Sequence, residues 1–226
     1  MHIEPGVVVG AKLALSYATA AGAAAYAAKT ALKMVKADGF VALGLRSVLA
    51  TGLAFSFFQI LPHYPVGVSE VHFILGSTLF LILGAAPAAI GLALGLLLQG
   101  VFFAPFDLPQ YGMNVTSLLV PLFAVSMLAR RIIPTKTAYK DVSYGQALAL
   151  STAYQGGVVA WVAFWAFYGN GFGAENMAQV GMFGGAYMLV IAVEPLIDLA
   201  VLAGAKGLHG LKDMPFLNPR LYRSAA

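Results

Sequence analysis

Cysteine is absent from the 226 residues, which excludes disulfides, thiolate zinc sites and cysteine-held iron–sulfur clusters. Charge is scarce too. Only 10% of the residues are charged against 60% hydrophobic, whereas water-soluble domains carry about 25% charged residues. That shortage excludes a soluble globule and leaves lipid as the solvent. The chain has no G-x-x-x-x-G-K-[ST] phosphate loop, so any ATP-driven work falls to another chain. Its opening, Met1-His2-Ile3-Glu4-Pro5-Gly6, lacks the cationic segment of a secretory signal. Met1 is therefore expected to be the mature N-terminus.

Long apolar runs are what the chain has in place of charge. They cover about Val7–Leu32, Phe40–Leu61, Val71–Gly84, Ala86–Phe103, Met113–Ile133, Gln146–Tyr168 and Ala178–Lys206. A crossing helix takes about 20 residues, so the sequence predicts an all-α polytopic bundle of about seven spans. The third run is short, and with the tight break at Gly84–Pro87 it reads alternatively as part of a re-entrant hairpin, giving six. The expected organisation is one integral-membrane domain over 1–226: an N-terminal 1–6 segment, a 7–206 bundle and a basic 207–226 tail. Small residues (Ala20 to Ala25, Gly91, Gly95, Gly156, Gly157, Gly184, Gly185) are expected to let helices approach closely.

The cations sort by side. Lys29, Lys33, Lys36, Arg130, Arg131, Lys136, Lys140, Lys206, Lys212, Arg220 and Arg223, eleven of the 13 Lys and Arg, fall on alternate connections and span ends. The other connections (the N-terminus, Pro62 to Glu70, Ala104 to Gly112, Gly169 to Met177) contain none. This positive-inside pattern predicts an extracytoplasmic N-terminus in a cell, or inner, membrane. Cations split among flanks also give no single patch for nucleic acid.

The outer segments hold His2, Glu4, His63, Glu70, His72, Asp107 and Glu175, a cation-attracting rim in which imidazole suits nickel, cobalt, copper and zinc. A free N-terminal amine, the backbone nitrogen of residue 2 and an imidazole on residue 2 close two fused chelate rings. One in-plane position stays open, and His72 is the candidate to fill it. Such an all-nitrogen set favours nickel(II) or copper(II), with cobalt(II) also admissible.

The MHIEPG opening resembles the MHIxxG opening of the CbiM/NikM family, the substrate-capture components of energy-coupling-factor transporters for cobalt and nickel. Ser69-Glu70-Val71-His72-Phe73-Ile74-Leu75-Gly76 looks like the family's S-G-H-L-L-G segment, and Gly112-Met113-Asn114-Val115 is similar to its G-x-N segment. Glu194 sits where the family has a glutamate in its last helix. The chain departs from the pattern at Glu4-Pro5, which reverses the usual order, at Glu70-Val71 before His72, and at Tyr187 in place of a histidine. The resemblance implies that Met1, His2 and His72 bind Co2+ or Ni2+ as transported substrate, with Asn114 and the Ser69 loop ordering the site. It implies no enzymatic activity in this chain. The implied partners are a transmembrane coupling subunit, two ATPase subunits and a small accessory membrane subunit.

His63, between Pro62 and Pro65, reads either as an interfacial residue or as a relay for the ion. His209 reads as part of a solvated flank. Phe55, Phe57, Phe58, Phe102, Phe103, Trp161 and Trp165 read as interface belts and packing. Glu194 and Asp198, four apart on one face of the last span, must be partnered, because an acid at mid-membrane depth is costly. They serve either a network with Lys12, Gln59, Gln99 or Gln155, or coupling to the partner chains, and Pro195 suggests a kink. Gly169–Met177 reads as a nine-residue connector, or alternatively a lid. The rival reading is a membrane haem- or quinone-binding subunit of a redox complex with His72 as axial ligand. A membrane-embedded metal enzyme built on Glu194 and Asp198 is a further rival.

Overall fold

The computed structural model describes residues 3–207, 214 and 217–223. Seven α-helices make up most of it: α1 (Leu13–Asp38), α2 (Phe40–Gln59), α3 (Gly76–Leu83), α4 (Ala85–Phe102), α5 (Tyr111–Ile132), α6 (Tyr144–Asn170) and α7 (Ala174–Gly207). Two short strands, β1 (Tyr64–Val66) and β2 (Ser69–Val71), pair antiparallel between α2 and α3. Among the described residues five helices are long and apolar enough to cross a membrane.

Sequence and structure part at the third run. Only the eight residues of α3 are helical there, about 12 Å at 1.5 Å per residue. The rest of that run is β2 and an irregular segment, 72–75, that descends into the bundle before α3 begins. The chain thus reaches the far side with half a helix. Seven of α3's eight residues are buried, surrounded chiefly by α4, α5 and α6. Non-helical backbone at this depth is tolerable only where protein covers it and supplies partners for its polar groups.

The first run also starts late. Val7–Val9 are not helical; α1 begins at Leu13 after a turn of 3₁₀ helix at Gly10–Lys12. Val7 and Val8 are apolar because they are buried, not because they cross. The expected nine-residue connector after α6 is three residues long, since α6 runs on to Asn170 and α7 starts at Ala174. Asn176 closes that turn, its Nδ2 donating to the carbonyls of Ala166 (3.0 Å) and Gly171 (2.6 Å).

Small residues set the closest helix pair. Gly91 and Gly95 of α4 lie against Ala50 and Ala54 of α2, with no room for a Cβ at either glycine. Gly156, Gly184 and Gly185 have nothing within 4 Å of where a Cβ would sit, so the packing role expected of them is not theirs. The two ends of the bundle differ in charge. The end with the hairpin carries Lys12, whose Nζ donates to the Gly169 carbonyl at 2.8 Å. The other end gathers the cations of 29–46, 130–140 and 220–223.

Candidate metal centre

The β1–β2 hairpin turns at Gly67, with φ 62. A Cβ at that glycine would overlap the Gln179 carbonyl and approach the Phe183 nitrogen on α7. Glycine is therefore required twice, for the turn and for seating the hairpin on α7. Ile3 extends the hairpin on its other side: it forms an antiparallel bridge with Ser69, and the Glu4 N–H donates to the Val68 carbonyl at 3.1 Å. The Ile3 N–H donates to Oδ1 of Asn114 on α5 at 2.8 Å. Ile3 is 0% exposed, so Asn114 is the acceptor for a donor that water does not reach.

His72 follows β2 directly and is 1% exposed. Its ring lies 5.3 Å from the Phe58 ring and 6.3 Å from the His63 ring, centroid to centroid. His63 is half-buried, with Nδ1 against the Leu61 carbonyl at 3.0 Å. Glu70 is half-buried on β2, and its Oε2 is a buried atom with no hydrogen-bond partner among the described residues. Glu175 is exposed and Asp107 is buried in the 3₁₀ turn before α5. Ile3, Ser69, His72, His63 and Asn114 are thus joined by the hairpin and its neighbours, while Glu175 stands apart. Among the described residues no group of three or more His, Asp and Glu side chains is poised to hold a metal ion. Met1, His2, His209 and Lys212 lie outside the described residues.

The 72–75 segment is held from α7. The N–H groups of Ile74 and Leu75 both donate to Oε1 of Glu194, the second at 2.9 Å. Leu75 has φ 53, the left-handed region that a non-glycine residue occupies only when its surroundings fix it. One turn along α7, Asp198 accepts from the Ser77 hydroxyl at 2.6 Å and from the Thr78 hydroxyl. The first turn of α3 has no cap from its own N-cap side chain; the two acids of α7 instead hold the two N–H groups just before it and its first two hydroxyls, at the positive end of the helix.

These partners correct the expected network. Lys12 bonds to Gly169, Gln99 donates to the Phe58 carbonyl at 3.1 Å, and Gln155 accepts from the Tyr187 hydroxyl at 3.0 Å. Sequence reasoning missed Ser77 and Thr78, although two hydroxyls at a helix start are a usual counterpart for acids. It also missed the backbone donors, which carry no residue signature. Of the aromatic residues read as belts, Phe102 and Phe103 are exposed, while Phe58 and Trp165 are fully buried.

Comparisons with known proteins agree on this architecture. The family model described as CbiM, cobalt uptake substrate-specific transmembrane region, matches residues 2–207. A crystal structure of a truncated transition metal transporter superposes with TM-score 0.69 at 17% sequence identity, over 92% of this chain and 97% of that one. No curated protein matches the chain in sequence.

Proposed function

The chain belongs to the cobalt-uptake substrate-specific transmembrane family, a multi-pass membrane component of metal uptake, and from that premise we propose that it captures Co2+ or Ni2+ in a four-nitrogen set. The ligands are the Met1 amine, the backbone nitrogen and imidazole of His2, and the imidazole of His72. Membership in an uptake family displaces the reading as a haem or quinone subunit.

The observation that carries the proposal is the seat of Ile3. Residue 2 is covalently joined to the Ile3 nitrogen, whose N–H is held by Asn114, and Ile3 pairs with Ser69, three residues before His72. At about 3.3 Å per extended residue, Ser69 and His72 are about 10 Å apart along the chain. Two residues ahead of Ile3 span up to about 7 Å, and side chains cover the rest. The docked segment therefore tethers the chelating end within reach of a buried imidazole.

In this reading Asn114 and Ser69 order the N-terminal segment, and Glu194 and Asp198 fix the segment that carries His72. Glu70 and His63 lie on the ion's path, lending the entrance a carboxylate and an imidazole. The His2 backbone nitrogen binds in its deprotonated form, so capture releases a proton, and metal selection follows from ligand type and geometry. The hairpin end faces the extracytoplasmic side of the inner membrane, and the cation-rich end faces the cytosol. ATP hydrolysis belongs to two ATPase subunits acting through a transmembrane coupling subunit, with a small accessory membrane subunit completing the assembly.

The test is a calorimetric titration of nickel and of cobalt into the purified chain and two variants. His72→Ala is expected to lose tight binding, while His63→Ala keeps it nearly intact. Equal losses in the two would show that His63 is a ligand and that the set is drawn wrongly.

A further inference from the structure

The end of the bundle opposite His72 encloses a cavity of about 320 Å³, at the small end of the range for ligand sites. Lys33 of α1, Arg46 of α2, Arg130 of α5 and Arg220 of the 217–223 segment line it, against a single acid, Asp38. Arg46 is 4% exposed and spends its charge on Asp38 at 2.7 Å. Four cations less one acid leave the described lining at +3.

The positive-inside pattern asks only that cations lie on one side of the membrane. It does not ask four elements to converge them on one concavity, where like charges repel. The Arg220 guanidinium lies 4.8 Å from the Tyr139 ring centroid, and its Nη2 donates to the Pro134 carbonyl at 3.3 Å. Its Nε is buried with no hydrogen-bond partner among the described residues. Burial leaves the Tyr139 hydroxyl's pKa raised, partly offset by the charges of Arg220 and Arg130 and by a hydrogen bond from Arg220; both guanidinium groups line the cavity beside that ring. The 18-residue α4 also starts on this wall, after Gly84 and with no side-chain cap. It turns the positive end of its dipole toward the same space.

We propose that this cavity binds a phosphate group, either the diester of an anionic lipid headgroup or a phosphate from solution. Planar guanidinium forks suit phosphate oxygens, and basic pockets between membrane helices at this level recognise lipid phosphates. A ligand of this class joins α1, α5 and the C-terminal segment at the base of α3. The same charge repels a divalent cation, so the cavity is not the metal's way out.

Native mass spectrometry of the full chain tests this, with phosphatidylglycerol and inorganic phosphate as separate probes and phosphatidylcholine as the neutral reference. The double variant Arg130→Gln/Arg220→Gln is expected to weaken retention about thirtyfold, at about fivefold per cation. Arg131→Gln/Lys136→Gln removes the same charge outside the cavity and is expected to leave retention unchanged. Lys33→Gln, on the exposed face of α1, is the second variant should the first lower the melting temperature, and it is expected to cost about fivefold. Retention of the lipid alone or of the free ion alone supports the site and identifies its source. Equal losses in the two double variants, or no preference of the unaltered chain for either anion, would overturn the proposal.

Discussion

Replacing Asn114 with alanine removes the acceptor for the Ile3 N–H, a bond of 2.8 Å at a residue 0% exposed. A buried donor left without a partner costs about 1–3 kcal/mol. One escape is for residues 3–4 to leave the hairpin and meet water, giving up the Ile3–Ser69 bridge, the Glu4–Val68 bond and the burial of Ile3. If the chelating end is competent only while Ile3 is docked, and docking is marginal before the ion binds, that cost passes into the apparent affinity. At 1.4 kcal/mol per tenfold, nickel or cobalt binding weakens by about five- to about 140-fold. The assay pairs calorimetry with hydrogen exchange at the Ile3 amide, which is expected to speed up in the same proportion. Faster exchange with an unchanged dissociation constant would separate docking from metal binding and refute the reasoning.

The other predictions concern the supports of His72. Glu194→Ala leaves the Ile74 and Leu75 donors without their acceptor and is expected to lower both melting temperature and metal affinity, at about 1–3 kcal/mol per donor. Glu194→Gln keeps a carbonyl oxygen for the same two N–H groups and should lie nearer the unaltered chain on both measures. A glutamine variant as damaged as the alanine one would contradict acceptor geometry as the glutamate's role. Gly67→Ala places a Cβ on the Gln179 carbonyl at a positive φ; an expected loss of about 1–3 kcal/mol is read from thermal unfolding, and unaltered unfolding and metal affinity would show that the hairpin seat does not matter.

The apolar runs located six of the seven helices, because a lipid solvent makes a crossing helix conspicuous in composition alone. The third run misled because apolarity reports burial, not conformation. Val71–Gly84 is apolar throughout most of its length, yet it breaks at Leu75, whose backbone is fixed by a carboxylate 119 residues away. Val7 and Val8, buried but not helical, misled in the same manner. Intramembrane cost flagged Glu194 and Asp198 as residues needing partners, but matching polar side chains to polar side chains overlooked two backbone N–H groups. His72, Ser69 and Asn114 were legible through motif resemblance. The contact that unites Asn114 with the N-terminal segment spans 111 residues and has no signature in either stretch alone.

Metal affinity of a chain acetylated at the Met1 amine bears most directly on the four-nitrogen capture set. Acetylation leaves every side chain in place but removes the amine as a ligand. Titrated with nickel or cobalt beside the unaltered chain, the acetylated protein is expected to lose tight binding while unfolding at the same temperature. Unchanged affinity in the acetylated chain would mean that the amine is not a ligand and that the ion is held elsewhere.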